Sequence, residues 1–258
     1  MSEGRVRYSQ HDGIGRILFD NPRAYNALTT SMWNELEDRC AAIADDPTIR
    51  AVVVQGAGDK AFVSGNDISG FLDFKDGADG VAYEAKVGAS VDALEKLRQP
   101  TIALIQGWAV GGGLAIALAC DFRIAAAGSR FGSPIARTIG NCLSAKSYAR
   151  ILWHVGPALA KRILLLGEVV AAEELHALGL LYDVVTRDAL DASGDGLAAR
   201  LKDNAPLTMG ASKEAMRRMA YAKLPDVDDL VESVYGSDDF RTGVRSFVGK
   251  TKPEWTGR

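Results

Sequence analysis

The amino-acid sequence predicts an α/β fold, in which a core of alternating strands and helices is followed by a helical C-terminal region. Apolar runs typical of buried strands alternate with amphipathic helical patterns up to about residue 143. Beyond that residue almost every segment has helical periodicity, and 182–186 is the only strand candidate. A chain of 258 residues can bury a large core without disulfides or metal.

The core is predicted to begin with a hairpin and a helix. Strands over 6–10 and 15–20 flank the turn sequence HDGIG. Residues 29–46 form an amphipathic helical pattern, with Thr29 or Thr30 placed as its N-cap. The core continues with a strand over 49–58, a helix over 81–99, a strand over 101–107, a helix over 112–120 and a strand over 121–132. Helical patterns then cover 144–167, 171–181, 190–205, 207–222 and 226–249.

Charge and cysteine content narrow the class of function. The formal net charge is −3, whereas nucleic-acid-binding proteins usually carry a basic excess, so no nucleic-acid partner is expected. Three cysteines without CxxC spacing predict free thiols and a cytoplasmic location, and the first residues show no apolar signal core. The uncharged stretch 102–120 nearly reaches bilayer length, but Gln106 and four glycines interrupt it. We therefore expect a buried strand, turn and helix there, and no membrane partner.

Two glycine-bearing turns follow two of the buried strands. They are SGND at Ser64–Asp67 and GGGL at Gly111–Leu114. Ligands gather at the carboxyl ends of strands in α/β sheets, and free N–H groups from two such turns can bind a developing oxyanion. The second turn also opens a helix, whose dipole favours negative charge. The alternative is that these glycines only allow close packing of strand and helix. Neither GxGxxG nor GxxxxGK[ST] is present, so a phosphate loop is not predicted.

The chain carries four segments in this order: DNPRAYNAL, KAFVSGNDI, IALIQGWAVGGGLAIALACDFRIAAAGSRFGSP and SDDFRTGVRSFVGKTKPEWTGR. Together they resemble the enoyl-CoA hydratase/isomerase (crotonase) superfamily, over nearly the whole length. The resemblance implies a spiral of ββα turns that gives two roughly perpendicular sheets. It assigns residues 1–195 to this core and 196–258 to a helical region that assembles a homotrimer or a dimer of trimers. It also implies an acyl-CoA thioester as substrate, with coenzyme A as part of that substrate and no other cofactor or metal.

The resemblance also implies the residues of the site. The backbone N–H groups of Asn66 and Gly112 would form the oxyanion hole, and Arg23 would pair with a phosphate of coenzyme A. Lys250 lies in the tail region that approaches the nucleotide end of coenzyme A. The implied substrate-binding residues are Arg23, Ala24, Ala61, Ser64, Asp67, Ile68, Trp108, Gly111, Pro134, Ile135 and Arg137.

The sequence departs from the family at two positions. Hydratases of this family carry one glutamate where this chain has Ala115 and a second where it has Ile135. Hydration needs a base to activate water and an acid to protonate the α-carbon. The sequence therefore predicts an oxyanion hole without the usual proton-transfer groups.

Several residues are candidates for the missing groups, each with an alternative. Cys142 is either a nucleophile or an inert buried thiol, and the lack of a suitable histidine nearby in sequence favours the inert thiol. Asp67 is either a base or a helix cap, and its position favours the cap. Arg137 either binds a substrate carboxylate or forms a structural ion pair. The resemblance implies that Asn141, like Arg137 and Cys142, lies among substrate-facing residues, and the alternative is that Asn141 only holds a turn. Tyr83 and Glu84 are candidates that the sequence does not place, and the dispersed His11, His154 and His176 predict no hydrolase triad.

Three functions fit these residues. The first is an enoyl-CoA hydratase or isomerase with an unassigned proton-transfer group. The second is a decarboxylase of malonyl-type thioesters, which needs enolate stabilisation above all and in which Arg137 would orient the carboxylate. The third is a catalytically silent acyl-CoA-binding protein, which Ala115 and Ile135 also fit.

Overall fold

The computed structural model describes residues 4–258, which form two β-sheets covered by helices. The strands are β1 (Arg5–His11), β2 (Ile14–Asp20), β3 (Ala51–Gly56), β4 (Ala61–Val63), β5 (Thr101–Ile105), β6 (Trp108–Val110), β7 (Phe122–Ala126), β8 (Arg130–Gly132), β9 (Val169–Ala171) and β10 (Asp183–Val185). The large sheet has the order β1-β2-β3-β5-β7-β10, and the small sheet has the order β4-β6-β8-β9. Among the strand pairs of the described residues, only β1–β2 and β8–β9 are antiparallel.

Ten α-helices are assigned within the described residues. They are α1 (Thr30–Asp45), α2 (Gly77–Glu95), α3 (Gly112–Ala119), α4 (Ile135–Thr138), α5 (Ala145–Leu164), α6 (Ala172–Ala177), α7 (Leu190–Lys202), α8 (Pro206–Ala220), α9 (Asp228–Tyr235) and α10 (Asp238–Gly249). Thr29 caps α1, because its side chain accepts a hydrogen bond from the N–H of Met32. Helix α5 is interrupted at Gly156, where the backbone is not helical and a proline follows.

The core is built from a unit of two strands and a helix that occurs three times. In the order β3-β4-α2, β5-β6-α3 and β7-β8-α4, the first strand joins the large sheet and the second joins the small sheet. This arrangement is the spiral of ββα turns that the resemblance implied. It stacks the second strands of successive units side by side, so that the turns after them become neighbours.

Most predicted elements are confirmed, and the differences concern short strands and divided segments. The sequence prediction missed β4, β6 and β9, because three residues are too few to show an alternating pattern. The single strand predicted over 121–132 is two strands, β7 and β8, which join different sheets. The segment 226–249 is likewise two helices, α9 and α10. Helix α2 begins at Gly77 rather than at residue 81, with Asp76 as its N-cap.

Packing shows how the C-terminal helices relate to the core. Leu190, Leu197 and Leu201 of α7 pack against the large sheet. A boundary between residues 195 and 196 therefore falls inside α7, and the packing joins the whole of this helix to the core. Helices α9 and α10 form a separate apolar cluster with the 3₁₀ segment Ser69–Asp73.

The uncharged stretch 102–120 folds as β5, β6 and α3, as the buried alternative predicted. Within residues 4–258 no helix combines the length and the apolarity that a bilayer crossing requires.

Candidate active site

The two glycine-bearing turns are neighbours because the strands before them are neighbours. Strands β4 and β6 pair in parallel in the small sheet. Residues 64–67 follow the carboxyl end of β4, and Gly111 follows the carboxyl end of β6. Parallel strands end at the same edge of a sheet, so the two turns lie beside each other.

The N–H of Asn66 is left free by the way its turn is held. Asn66 forms an isolated parallel bridge with Leu28. Leu28 donates its N–H to the carbonyl of Gly65 at 2.9 Å and accepts the N–H of Asp67 at 2.8 Å. In this geometry the N–H of Asn66 faces away from Leu28. It donates to no backbone or side-chain acceptor in the described part of the chain.

The N–H of Gly112 is free because Gly112 is the first residue of α3 and has no carbonyl one turn before it. Gly111 has φ 56° and ψ −115°, a conformation that favours glycine. A Cβ on Gly112 would lie 2.3 Å from Oδ1 of Asn66, and one on Gly113 would lie 2.0 Å from the carbonyl oxygen of Val63. The third glycine therefore serves packing, whereas the second brings its backbone against the other turn.

Both turns line one cavity of about 150 Å³. Of the residues that the sequence predicts in the site, those that line the cavity are Ser64, Asn66, Ile68, Gly111, Gly112, Pro134 and Ile135. Ala115 lines it as well, so the two positions without glutamates both face the cavity. The remaining wall is largely apolar and includes Phe71, Leu114 and Phe247.

Several predicted residues lie outside the cavity. Arg23 and Ala24 are exposed in a 3₁₀ turn that touches its rim, because the hydroxyl of Ser64 donates to the carbonyl of Ala24 at 3.4 Å. Trp108 is 45% exposed on β6 and does not line the cavity. Ala61 is buried, and its carbonyl accepts a hydrogen bond from Nδ2 of Asn26 at 2.9 Å, so its backbone oxygen is already occupied.

The structure bears on three residues, Arg137, Asp67 and Cys142, for each of which the sequence left two roles open. Arg137 is exposed and does not line the cavity, so neither of its two predicted roles gains support from the described contacts. Asp67 is exposed, and its Oδ1 accepts the N–H of Ser69 at 3.0 Å at the start of the 3₁₀ segment, whose N-cap position is Ile68. Burial raises the pKa of the Cys142 thiol to about 12, which favours the inert alternative. Burial also lowers the pKa of His154 to about 3.

The side chain of Asn66 forms part of the wall of the cavity. Its Nδ2 donates to the hydroxyl of Tyr83 at 2.5 Å, while its Oδ1 is buried without a partner among the described residues. Burial is the main cause that raises the pKa of Tyr83 above its ordinary value. Tyr83 is therefore a neutral hydroxyl that fixes the Asn66 turn.

Glu84 lies next to Tyr83 on α2 and is the carboxylate of the cavity. It is 6% exposed, and its Oε2 accepts the N–H of Ser144 at 2.8 Å. Its Oε1 accepts the hydroxyl of Tyr235 at 3.0 Å. Burial raises the pKa of Glu84 to about 7, although both hydrogen bonds act in the opposite direction.

From the sequence, Glu84 was a candidate that could not be placed in the site, and Tyr235 was not a candidate. One local signal was available in the spacing of Gly77, Gly80 and Glu84 on α2. Residues 80 and 84 lie on the same helix face, and a glycine on that face allows another helix to approach closely. A partner helix was therefore to be expected against Glu84.

Comparison with known proteins agrees with the fold and with the motifs. The family model described as Enoyl-CoA hydratase/isomerase matches residues 9–258. A probable enoyl-CoA hydratase of Rhizobium meliloti is 32% identical over 252 residues, which cover 95% of each chain. The crotonyl-CoA hydratase of Syntrophomonas wolfei is 28% identical over the full length of both chains.

Solved structures show the same fold. A crystal structure of an enoyl-CoA hydratase/carnithine racemase from Magnetospirillum magneticum superposes with a TM-score of 0.81 at 32% identity, over 100% of this chain and 97% of the other. A methylmalonyl-CoA decarboxylase superposes with a TM-score of 0.90 over 98% of this chain and 99% of its own. Its identity is 23%, so that likeness concerns the fold alone.

Proposed function

Because this chain belongs to the enoyl-CoA hydratase/isomerase family, we propose that it is an acyl-CoA-processing enzyme that stabilises a thioester enolate with two backbone N–H groups. The observation that carries the proposal is that the turns bearing the free N–H groups of Asn66 and Gly112 line one mostly apolar cavity. Relatives called crotonyl-CoA hydratase and short-chain-enoyl-CoA hydratase support short enoyl thioesters as the substrate class.

The two N–H groups would act on the thioester carbonyl oxygen. Negative charge develops on that oxygen when a proton leaves the α-carbon, and a preorganised donor stabilises this charge more than it stabilises the neutral carbonyl. Each such donor is worth about 3 to 4 kcal/mol of transition-state stabilisation in other enzymes. The positive end of the α3 dipole adds to the effect at Gly112.

Arg23 is the proposed contact for a phosphate of coenzyme A. It is exposed beside the rim of the cavity and forms no ion pair with any described residue. A free guanidinium in this position supports binding of the nucleotide end, and Lys250, exposed at the end of α10, is a second cation for the same role.

The first experiment measures turnover of crotonyl-CoA by loss of the conjugated enoyl absorbance, with binding of butyryl-CoA measured in parallel by calorimetry. Binding together with loss of the enoyl chromophore supports enoyl-CoA hydration. Binding together with conversion of 3-butenoyl-CoA to crotonyl-CoA supports isomerisation instead. If no CoA thioester binds to the folded protein, the proposed function is wrong.

Decarboxylation of a malonyl-type thioester is a second candidate, favoured by the apolar side chains of Ala115 and Ile135 on the cavity wall. Loss of carbon dioxide leaves an enolate, which needs the oxyanion hole and only a final protonation. Release of carbon dioxide from malonyl-CoA or methylmalonyl-CoA would establish this reaction. Thioester binding without turnover of any of these substrates would indicate a silent acyl-CoA-binding protein.

We also propose a homotrimer or a dimer of trimers. Helices α5 and α8 and the segments that flank them expose large apolar side chains, among them Trp153, Leu165, Leu166, Leu207 and Met219. Such a set marks a surface for association. Analytical ultracentrifugation measures the mass, and a monomer at micromolar concentration would contradict this assembly.

A further inference from the structure

We propose that Glu84 is the acid/base residue of this enzyme and transfers the proton between the α-carbon and the γ-carbon of an enoyl thioester. The inference rests on the proposed function, since it takes the thioester to lie in the cavity with its carbonyl oxygen at the two N–H groups.

Elimination among the lining residues points to Glu84. The ionisable side chains that line the cavity are Tyr83, Glu84 and Arg150. Arg150 is held away from a catalytic role by ion pairs with Glu95 at 3.0 Å and Asp92 at 3.3 Å. Tyr83 is neutral throughout the working range because burial raises its pKa. Glu84 is thus the single carboxylate in the lining of the described cavity.

A chain of hydrogen bonds orients this carboxylate. Nδ2 of Asn141 donates to the hydroxyl oxygen of Tyr235 at 3.0 Å. The hydroxyl proton of Tyr235 is therefore directed to Oε1 of Glu84, also at 3.0 Å. A carboxylate oxygen can accept more than one hydrogen bond, so each of these oxygens keeps acceptor capacity for a substrate proton. Tyr235 is a positioning residue, because it acts on the substrate only through Glu84.

Helix packing brings these groups together. A Cβ on Gly80 would lie 2.1 Å from Cγ of Tyr235, and one on Gly77 would lie 2.0 Å from the carbonyl oxygen of Glu232. Two glycines therefore let α9 lie directly on α2, one helical turn before Glu84. Burial of the carboxylate raises its pKa to about 7, where it can both accept and return a proton near neutral pH.

A single carboxylate suits a reaction in which one group both removes and returns the proton. Glu84 removes a proton from C2 of a 3-enoyl thioester, and the electrons of the C–H bond move into a dienolate whose oxygen is held by Asn66 and Gly112. The carboxylic acid then returns the same proton to C4, and the double bond moves from C3–C4 to C2–C3. No water is consumed, nothing is oxidised, and Glu84 ends in its starting form.

The test is deuterium incorporation at C2 of butyryl-CoA in deuterium oxide, followed by mass spectrometry. This saturated thioester reports removal of the α-proton without a complete reaction. We expect Glu84→Gln to slow the exchange at least about 100-fold. Binding of butyryl-CoA should change by less than about threefold. Tyr235→Phe, which keeps the ring and removes the hydroxyl, should slow the exchange about tenfold.

Two further variants separate chemistry from folding. Glu232→Gln alters a glutamate on α9 whose side chain is exposed, and exchange should remain at the wild-type rate. Glu84→Asp keeps a carboxylate on a shorter side chain and should restore part of the activity lost in Glu84→Gln. Isomerisation of 3-butenoyl-CoA should follow the same order among the variants.

The outcomes distinguish this inference from the proposed function. If folded Glu84→Gln exchanges the α-proton at the wild-type rate, or if the wild type binds butyryl-CoA and exchanges nothing, the assignment of Glu84 is wrong and the acyl-CoA site stands. If the wild type binds no CoA thioester, the proposed function is wrong and the role of Glu84 falls with it.

Discussion

Two walls of the same cavity are built in different ways. The first wall consists of backbone N–H groups at the ends of β4 and β6, which the small sheet holds side by side. The second wall consists of side chains, with Glu84 from α2 held by Tyr235 from α9 and by the backbone of Ser144. The first wall is part of the core, whereas the second forms only when the C-terminal helices pack over it.

The difference separates the two parts of the proposed chemistry, oxyanion binding and proton transfer, by the kind of structure that would carry each. Backbone donors are fixed by strand pairing and do not depend on the identity of a side chain, provided that glycine allows the close approach. A proton-transfer group is a side chain, so it can stand on any element that reaches the cavity. This chain lacks glutamates at 115 and 135 and carries its cavity carboxylate on α2 instead.

Removing one backbone donor should have the largest effect. Gly112→Pro deletes the N–H and suits the first position of a helix, so the fold is expected to persist. We expect turnover to fall about 100- to 1000-fold. Gly112→Ala keeps the N–H, but its Cβ would contact Oδ1 of Asn66. Both substitutions are therefore made together with Asn66→Ala, which removes Oδ1 and keeps the N–H of residue 66. Steady-state kinetics then compares the turnover of the two double variants. Equal turnover of these two folded variants would remove Gly112 from the mechanism.

The stability of the second wall should depend on pH through Glu84. Its pKa is raised in the folded state, so the folded state binds the proton more tightly than the unfolded state between about pH 4.5 and 7. The stabilising contribution is full below pH 4.5 and is lost as pH rises through 7. Glu84→Gln should gain up to about 3 kcal/mol of unfolding free energy over the wild type between pH 5 and 8. Urea unfolding at several pH values measures this difference.

Glu84 sets the direction in which the free energy of unfolding changes with pH, because the neighbouring titratable groups do not change protonation between about pH 4.5 and 7. Cys142 has its pKa raised to about 12, and those of the tyrosines are raised above their ordinary values. Arg150 stays charged, since its pKa is raised. The groups concerned are Tyr83, Cys142, Tyr148, Arg150 and Tyr235. A difference between wild type and Glu84→Gln that is independent of pH would contradict the raised pKa.

The close contact of α2 and α9 should be sensitive to a single methyl group. Gly80→Ala places a Cβ against the ring of Tyr235 and should destabilise the protein by about 1 to 3 kcal/mol. Gly88→Ala is the matched control on the same helix, because within the described structure its added Cβ would meet nothing within 4 Å apart from its chain neighbours and the backbone of its own helix. That change should stabilise the protein by about 0.5 to 1 kcal/mol. Thermal unfolding measures both, and equal effects would argue against the close contact.

The smallest effect is expected at the rim of the cavity. Arg23→Ala should weaken binding of butyryl-CoA about two- to fivefold, since an exposed ion pair contributes less than about 1 kcal/mol. Butyryl-pantetheine lacks the phosphates of the nucleotide, so its binding should be the same for the variant and the wild type. Calorimetry at low and high salt measures both ligands. If Arg23→Ala lost the same affinity for butyryl-CoA and for butyryl-pantetheine, a contact between Arg23 and a phosphate would be contradicted.

The sequence alone predicted much of the first wall. The hairpin, the buried strands β3 and β5, and the helix after GGG each follow from a local pattern. The glycine turns alone left close packing as an alternative, and it was the family resemblance that assigned the two N–H groups to Asn66 and Gly112. Three-residue strands such as β4 and β6 have no pattern of their own. Their pairing came only from the structure, although it is what brings the two turns together.

The second wall shows most clearly which part of the site local sequence patterns do not predict. Glu84, Asn141, Ser144 and Tyr235 are separated by up to 151 positions, and no local spacing joins them. The sequence by itself determined the α/β class, the glycine turns and the absence of glutamates at 115 and 135. Tertiary structure decided which carboxylate faces the cavity, because burial and hydrogen bonding of a side chain depend on the elements packed against it.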